Sequence, residues 1–403
     1  MTVLVSKRVL LGVTGSIACY KAADLASKLA QLGAVVDVVL TSAATNFVAP
    51  LTFQSVTGRR AYVDADLWGP EGHVLHVNLG KQADLIVIAP TTANTLAKLV
   101  TGQADNLLTL AALASTAPLL LAPAMDGGMY AHPATQANLA ILKERGAIIV
   151  GPQSGHLASG LSGVGRMTEP QDLVGHIRYL LSRNGPLAGR KVVVTAGGTQ
   201  EAIDPVRAIT NRSSGKQGYA LAQAALDQGA DVILVSALTA LTPPVGAELV
   251  RVTNAEQMLA AVLSHATSAD ILLMAAAVAD FRPGKGSNEK IKRASGVPQI
   301  QLVANPDILM ELKASKGKKP AVVIGFAAES GDLIRNAKQK LEAKGLDLIV
   351  ANDISAEDAG FEVDTNRVVL LDKSGHQEEL PLMSKPEVAR IVVDRASALL
   401  VGK

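Results

Sequence analysis

The 403-residue chain has one cysteine, one tryptophan and 3% aromatic residues. With Cys19 alone, no intrachain disulfide, cysteine-built zinc site or iron–sulfur cluster can form within one subunit. A reducing, cytoplasmic setting is expected. Charge of one sign is also missing in surplus, since 38 Lys and Arg stand against 36 Asp and Glu. That balance offers no global attraction to nucleic acid or to an anionic membrane, so an anionic ligand must be held locally. A long hydrophobic run is absent as well. The longest uncharged stretch, Asn106 to Met125, is divided by Thr109, Ser115, Thr116, Pro118 and Pro123 into a small-residue helix and a short strand, which argues against a membrane span. Lys7 and Arg8 precede an apolar segment, but it runs into Gly12-Val13-Thr14-Gly15-Ser16, a strand followed by a turn and not a signal peptide.

What is abundant is apolar surface. The 48% hydrophobic and 18% charged content exclude disorder, and the length predicts two domains. Short β-branched runs alternate with Ala/Leu-rich helical stretches, the pattern of an α/β protein with parallel sheets covered on both faces. Strands are predicted at Arg8–Val13, Val35–Leu40, Leu85–Ala89, Pro118–Ala122 and Ala147–Val150, each nearly all apolar. Turn formers at Ser182 to Pro186 mark a boundary, giving domains 1–185 and 186–403. The pattern then restarts, with strands at Lys191–Thr195, Val232–Ser236, Leu249–Val252, Ile271–Ala275, Ala321–Gly325 and Leu346–Ala351 and an edge segment at Arg367–Asp372. Two doubly wound domains are expected, a flavodoxin-like one followed by a Rossmann-like one.

The turn at Gly12 to Ser16 admits two readings: a plain strand-to-helix turn, or a site where backbone N–H groups and the Ser16 hydroxyl meet a phosphate at the helix N-terminus. A dinucleotide site would show Gly-x-Gly-x-x-Gly and an acid ending the second strand. Here that strand ends Leu40-Thr41-Ser42-Ala43, and a mononucleotide such as FMN fits better. Further polar loops follow at Pro90 to Thr95 and Pro123 to Tyr130, so Gly15, Ser16, Thr41, Thr92, Asn94 and Thr95 are the candidates for the cofactor. His73 and His76 stand close to a helix start, where an imidazole can exchange a proton near neutral pH.

Gly15-Ser16-Ile17-Ala18, His76 within His-Val-Asn-Leu-Gly, Ala89-Pro90-Thr91-Thr92-Ala93-Asn94-Thr95 and Pro123-Ala124-Met125-Asp126 resemble the flavin-dependent cysteine decarboxylase family. The resemblance covers residues 1 to about 185 and implies FMN, His76 as the active-site base, and residue 126 as a contact to the substrate carboxylate. Two positions depart from the family pattern, which has Asn where Asp126 stands and a proton-donating Cys where the flap carries Ser159. An Asp facing a carboxylate repels it unless one of the two is protonated. Serine is a poorer acid than cysteine, so His156, Ser162 or a water are alternative donors.

In the second half, Thr195-Ala196-Gly197-Gly198-Thr199 ends a strand, and no acid ends the next one, so NAD is again disfavoured. Glu289-Lys290-Ile291-Lys292-Arg293 reads either as an amphipathic edge strand or as a cation cluster for a triphosphate. Together with Asp204-Pro205-Val206-Arg207, Asn211-Arg212-Ser213-Ser214-Gly215-Lys216, Ala276-Ala277-Val278-Ala279-Asp280, Asn305-Pro306-Asp307-Ile308-Leu309, Gly325-Phe326-Ala327-Ala328-Glu329 and Ala351-Asn352-Asp353, it resembles the phosphopantothenate–cysteine ligase family over residues 188 to 403. That resemblance implies CTP contacts at Asp280, Lys290, Pro306, Asp307, Ile308, Leu309, Phe326, Lys340 and Lys344, with Mg2+ at Asp280 and Asn211 acting on the acyl intermediate. The two resemblances together imply a bifunctional enzyme of coenzyme A biosynthesis acting on 4′-phosphopantothenate, cysteine and CTP, assembled as a homo-oligomer with sites between subunits. The rival expectation is a ligase whose first domain binds FMN without turnover, for a redox or regulatory role.

Overall fold

The structure, a computed structural model, describes residues 3–69, 72–292, 298–329, 331–353 and 363–402. The chain divides into two compact units, Met1–Leu181 and Ser182–Lys403.

In the first unit β1 (Arg8–Val13), β2 (Val35–Leu40), β3 (Ala61–Val63), β4 (Leu85–Thr91), β5 (Leu119–Pro123) and β6 (Ile148–Ile149) form one sheet. Its order is β3-β2-β1-β4-β5-β6 and all neighbours are parallel. The five predicted strands correspond to β1, β2, β4, β5 and β6, which by themselves run in the flavodoxin-like order; with β3 the sheet has the 3-2-1-4-5-6 order. Edge strand β3 is additional; three residues are too few to give a periodic signal.

The helices are α1 (Cys19–Gln31), α2 (Pro50–Thr57), α3 (Gly72–Gln82), α4 (Ala93–Thr101), α5 (Leu107–Leu113), α6 (Gly127–Ala131), α7 (Pro133–Glu144) and α8 (Pro170–Ser182). Successive residues of β1 serve opposite faces. Val9, Leu11 and Val13 pack with Ala22, Leu25 and Leu29 of α1 and with Leu173 and Ile177 of α8. Leu10 packs with Leu75 and Leu79 of α3 and Leu107 and Leu108 of α5. Burial on both faces explains why these strands read as nearly all apolar runs. The stretch Asn106 to Met125 contains α5 and β5, and no helix among the described residues is long and apolar enough to cross a membrane. Between β6 and α8, β7 (Gln153–His156) and β8 (Ser162–Arg166) make an antiparallel hairpin.

The second unit is built from β9 (Lys191–Ala196), β10 (Gln200–Ala202), β11 (Ala208–Thr210), α9 (Lys216–Asp227), β12 (Asp231–Ser236), β13 (Ala247–Arg251), α10 (Ala255–Ala266), β14 (Ile271–Met274), β15 (Phe281–Pro283), β16 (Leu302–Ala304) and α11 (Ile308–Ala314). There follow β17 (Val322–Glu329), α12 (Leu333–Lys344), β18 (Leu348–Asp353), β19 (Thr365–Asn366), β20 (Val368–Asp372), β21 (Gln377–Glu379), β22 (Met383–Ser384) and α13 (Lys385–Val401). The main sheet runs β13-β12-β9-β14-β17-β18-β20-β21. Its strands from β13 to β18 are parallel in the Rossmann order, and β20 and β21 extend it antiparallel.

One face carries α10 and α11, where Val262 and Leu312 meet Val193 and Val235. At the far end of the sheet Ile349 and Ala351 of β18 pack on Ala337 and Leu341 of α12. The other face carries α9 and α13, which pack against each other. A capping box between Ser384 and Glu387, with Pro386 in the first turn, starts α13. Residues 288–292 form no regular strand, and Arg293 lies outside the described residues.

Candidate functional sites

In the first unit, the strand order reverses between β1 and β4, and the loops leaving their carboxyl ends are tied together. Thr14 Oγ1 donates to Pro90 O at 2.7 Å and accepts from Thr92 N at 3.1 Å. On the other side, Thr41 N donates to Val13 O at 3.0 Å. A Cβ on Gly15 would lie 2.5 Å from Ala43 Cβ, so the loops after β1 and β2 approach this closely only because residue 15 has no side chain. Helix α1 starts without a side-chain cap, with Ser16 Oγ accepting only from Ala18 N at 3.3 Å. Thr92 caps α4, accepting from Thr95 N at 3.3 Å, and Asn94 is exposed beside it. The result is a cradle of N–H groups and hydroxyls at a helix start, left open by the missing side chain of Gly15, which fits the phosphate of a mononucleotide.

His76 lies on α3. That helix leads into the start of β4, so its first turns lie toward the edge where the strands end. Its Nδ1 is buried and has no hydrogen-bond partner among the described residues. Packing alone therefore orients the ring, and a polar group of a ligand can complete it.

The hairpin of β7 and β8 bears on the loop after β5. Met125 N donates to Gly165 O at 3.0 Å, and the tip is held by Ser159 Oγ donating to Asp126 Oδ2 at 2.8 Å. Asp126 Oδ1 accepts from Gly128 N at 2.9 Å and caps α6. The two departures from the decarboxylase pattern are thus bonded to each other, and both oxygens of Asp126 are engaged within the protein. The Gly128 N–H and the Ser159 hydroxyl hold the Asp126 carboxyl below the usual carboxylate range. This contact is therefore present above the ordinary carboxylate pKa and is lost as pH falls through the lowered one. Ser159→Ala is expected to speed amide hydrogen exchange at residues 157–161 severalfold without changing exchange in the β-sheet. Unchanged exchange would mean that the turn bond from Gly160 N to Leu157 O, 3.0 Å, suffices to hold the tip.

In the second unit the loops after β9 and β14 are zipped together at the corresponding reversal point. Ala277 N donates to Gly197 O at 2.9 Å, Thr199 N to Ala277 O at 3.2 Å, and Ala279 N to Thr199 Oγ1 at 2.9 Å. Above them opens a cleft of 680 Å³. It is lined by residues 211–218, 274–280, 305–309 and 326–328, together with Lys340, Lys344, Asn352, Asn366 and Lys385. Gly215 permits the entry into α9 because its φ of +76° lies in the left-handed region. Asn211 Nδ2 donates to Val278 O at 3.1 Å, which fixes that side chain beside the loop ending in Asp280. Asp307 caps α11 through the N–H groups of Leu309 and Met310 and pairs with Lys344 at 3.0 Å. Burial pushes the Asp307 carboxyl up, but Lys344 and the two N–H groups outweigh it and the net shift is downward.

The structure thus gathers Asn211, Asp280, Pro306, Asp307, Ile308, Leu309, Phe326, Lys340 and Lys344 into one cleft. Lys290 stands exposed on the adjoining loop and does not line it. That loop is gripped by Asp204, whose Oδ2 accepts from Ile291 N at 3.2 Å, and by Arg207, whose Nη2 donates to Ile291 O at 2.8 Å. The Arg207 guanidinium holds the Asp204 carboxyl far below the carboxylate range, against the opposing effect of burial. Sequence reasoning assigned no role to Asn352, Asn366 or Lys385. Lys385 falls inside Ser384-Lys385-Pro386-Glu387, which reads as an ordinary helix start.

Two α/β units, each with polar loops gathered where its strand order reverses, define a two-domain class of doubly wound α/β proteins. Residues 2–182 match the family described as Flavoprotein, and residues 187–400 match the DNA/pantothenate metabolism flavoprotein C-terminal domain. Over 397 residues the chain is 45% identical to the coenzyme A biosynthesis bifunctional protein CoaBC of Bacillus subtilis (strain 168), covering 98% of this chain and 97% of the relative. It is 44% identical over 412 residues to the protein of the same name from Mycobacterium tuberculosis, covering 99% of this chain and 98% of that one. The chain belongs to the family of coenzyme A biosynthesis bifunctional proteins. A crystal structure of the C-terminal domain of such a protein, 40% identical, covers 54% of this chain and 100% of that chain at a TM-score of 0.47.

Proposed function

We propose that this chain joins 4′-phosphopantothenate to cysteine with CTP in its second unit and decarboxylates the product with FMN in its first, yielding 4′-phosphopantetheine for coenzyme A biosynthesis. The observation that carries this reading is the likeness, over 98% of the chain, to a protein named as a bifunctional protein of coenzyme A biosynthesis.

In the ligase, the substrate carboxylate attacks the α-phosphorus of CTP and pyrophosphate leaves. The deprotonated amine of cysteine then forms a C–N bond at the acyl carbon, and CMP departs with the electron pair of the broken C–O bond. A free carboxylate is too poor an electrophile to skip the first step. Lys340 and Lys344 supply positive charge to the phosphates, while Pro306, Asp307, Ile308, Leu309 and Phe326 shape the nucleotide side of the cleft. Lys290, exposed on the clamped loop beside the cleft, is assigned to the triphosphate. Asp280 would contribute a carboxylate ligand to Mg2+, which would supply positive charge to the phosphates of CTP. Asn211 holds the acyl group where the two loops meet.

In the decarboxylase, Gly15, Ser16, Thr41, Thr92, Asn94 and Thr95 would hold FMN, with its phosphate at the start of α1. When bound, FMN would accept a hydride from the cysteine-derived Cβ, which makes loss of carbon dioxide feasible, and would then return it to the decarboxylated product, so that the net reaction is redox-neutral. His76 accepts the proton removed at the substrate, and the flap carrying Ser159 keeps water from the reacting atoms. Asp126, already bonded to Ser159 and Gly128, holds the flap closed over the substrate.

Mass spectrometry of products after incubation with 4′-phosphopantothenate, cysteine, CTP and Mg2+ tests the reading. 4′-Phosphopantetheine is the expected end product. Accumulation of phosphopantothenoylcysteine alone would leave the first unit a flavin-binding module, and no amide product would overturn the ligase.

A further inference from the structure

Asp280 is an exposed carboxylate in the cleft of the second unit, at the end of the loop that follows β14. Among the described residues no hydrogen bond or ion pair holds that carboxylate, so its direction is set by its own backbone. The backbone is pinned from one place. Asn305 N donates to Asp280 O at 2.8 Å, and Asn305 Nδ2 donates to Ala279 O, also at 2.8 Å. Those two oxygens belong to the peptides on either side of the Asp280 Cα. Each peptide is planar, so fixing both fixes φ and ψ of Asp280 and with them the direction of its Cα–Cβ bond.

Asn305 is itself held. Arg282 Nη1 donates to Asn305 Oδ1 at 3.0 Å and to Ala304 O at 2.9 Å, and Arg282 Nη2 pairs with Glu256 of α10 at 3.1 Å. A guanidinium only donates and a peptide carbonyl only accepts, so residue 305 must present a donor and an acceptor on one flat group. Asparagine does so; leucine offers neither, and aspartate has no donor for Ala279 O. The next residue is Pro306, which opens the cleft-wall segment Pro306 to Leu309. One side chain thus ties that wall to the Asp280 carboxylate.

We infer that Asn305 is a positioning residue of the ligase, holding Asp280 in register with the nucleotide on the adjoining wall. Its amide is engaged by Ala279 and Arg282, so it acts through Asp280 and not on a substrate. A rigid link matters here because misplacement of a reacting group by about an ångström can cost about a hundredfold in rate. The inference rests on the ligase reading and adds the residue that sets the geometry between its nucleotide and its carboxylate.

The test is a double-substitution cycle in the full chain, read as pyrophosphate release from CTP and 4′-phosphopantothenate with Mg2+, in single turnovers that keep slow variants measurable. Asn305→Leu should lower kcat by about 10–100-fold while the KM for CTP changes by less than about threefold, because Pro306 to Leu309, Lys340 and Lys344 are left in place. In an Asp280→Asn background the same substitution should cost less than about twofold more, since the carboxylate it positions is already gone. Asn305→Asp keeps the acceptor for Arg282 and removes only the donor to Ala279 O; it should fall as Asn305→Leu does, and it replaces that variant in the cycle if leucine prevents folding. Amide hydrogen exchange, a readout independent of activity, should quicken at residues 279–281 in both variants and stay unchanged in β9 and β14. Wild-type turnover in either variant, losses that multiply across the cycle, a rise in KM in place of a fall in kcat, or unchanged exchange at residues 279–281 would overturn the assignment. No pyrophosphate release in the wild type would instead overturn the ligase reading itself.

Discussion

His76→Asn is expected to lower carbon dioxide release from phosphopantothenoylcysteine by about 10²–10⁴-fold, the usual worth of a positioned acid or base. Asparagine keeps a polar side chain of similar reach but cannot exchange a proton near neutral pH. The neighbours of His76 on α3, Leu75 and Leu79, are core residues packed on Leu107 and Leu108, so the helix should hold its place. FMN content, read from the flavin spectrum, should be unchanged, because the phosphate cradle around Gly15 lies on other loops. Wild-type release in His76→Asn would show that the orphaned Nδ1 is a packing feature and that the base lies elsewhere.

Asp204→Ala should lower ligase turnover by roughly a hundredfold, without contact between Asp204 and either substrate. Its carboxylate accepts from Val206 N, Arg207 N and Ile291 N and pairs with the Arg207 guanidinium at 2.6 Å. Without it, Arg207 loses its fixed direction and the peptide of Ile291 loses both grips. Lys290 is the preceding residue, and misplacement of a reacting group by about an ångström can cost this much in rate. Decarboxylation of added phosphopantothenoylcysteine should be unaffected, and hydrogen exchange at residues 286–292 should accelerate. Asp204→Asn, which retains an acceptor but not the charge, should fall between. Loss of turnover with unchanged exchange in that loop would show that Asp204 acts other than by positioning Lys290.

Much of the architecture was legible along the chain. A strand buried on both faces must be nearly all apolar, and β1, β2, β4 and β5 announce themselves this way, with Asp37 of β2 the buried exception. Short β3 and the two-residue β6 lie below what periodicity can register, so one was missed and the other drawn too long. The candidate site was legible as separate phrases. Asp126 and Ser159 stood out singly, and their 33-residue separation concealed that they share a hydrogen bond. Asp204 to Arg207 stood out as one phrase of the ligase resemblance, with nothing to indicate that Arg207 clasps a peptide 84 residues further on.

The sequence by itself determined the order of strands and helices, the parallel sheets and the loops at which ligands gather, because periodicity, turn chemistry and missing acids are local properties of the chain. The tertiary structure alone decided which side chains share a cleft. That Lys216, Asn352, Asn366 and Lys385 meet on one face follows from strand order, from the two-residue alternation of β18 and from the packing of α13 on α9. Those are distances across the sheet, and separation along the chain carries no measure of them.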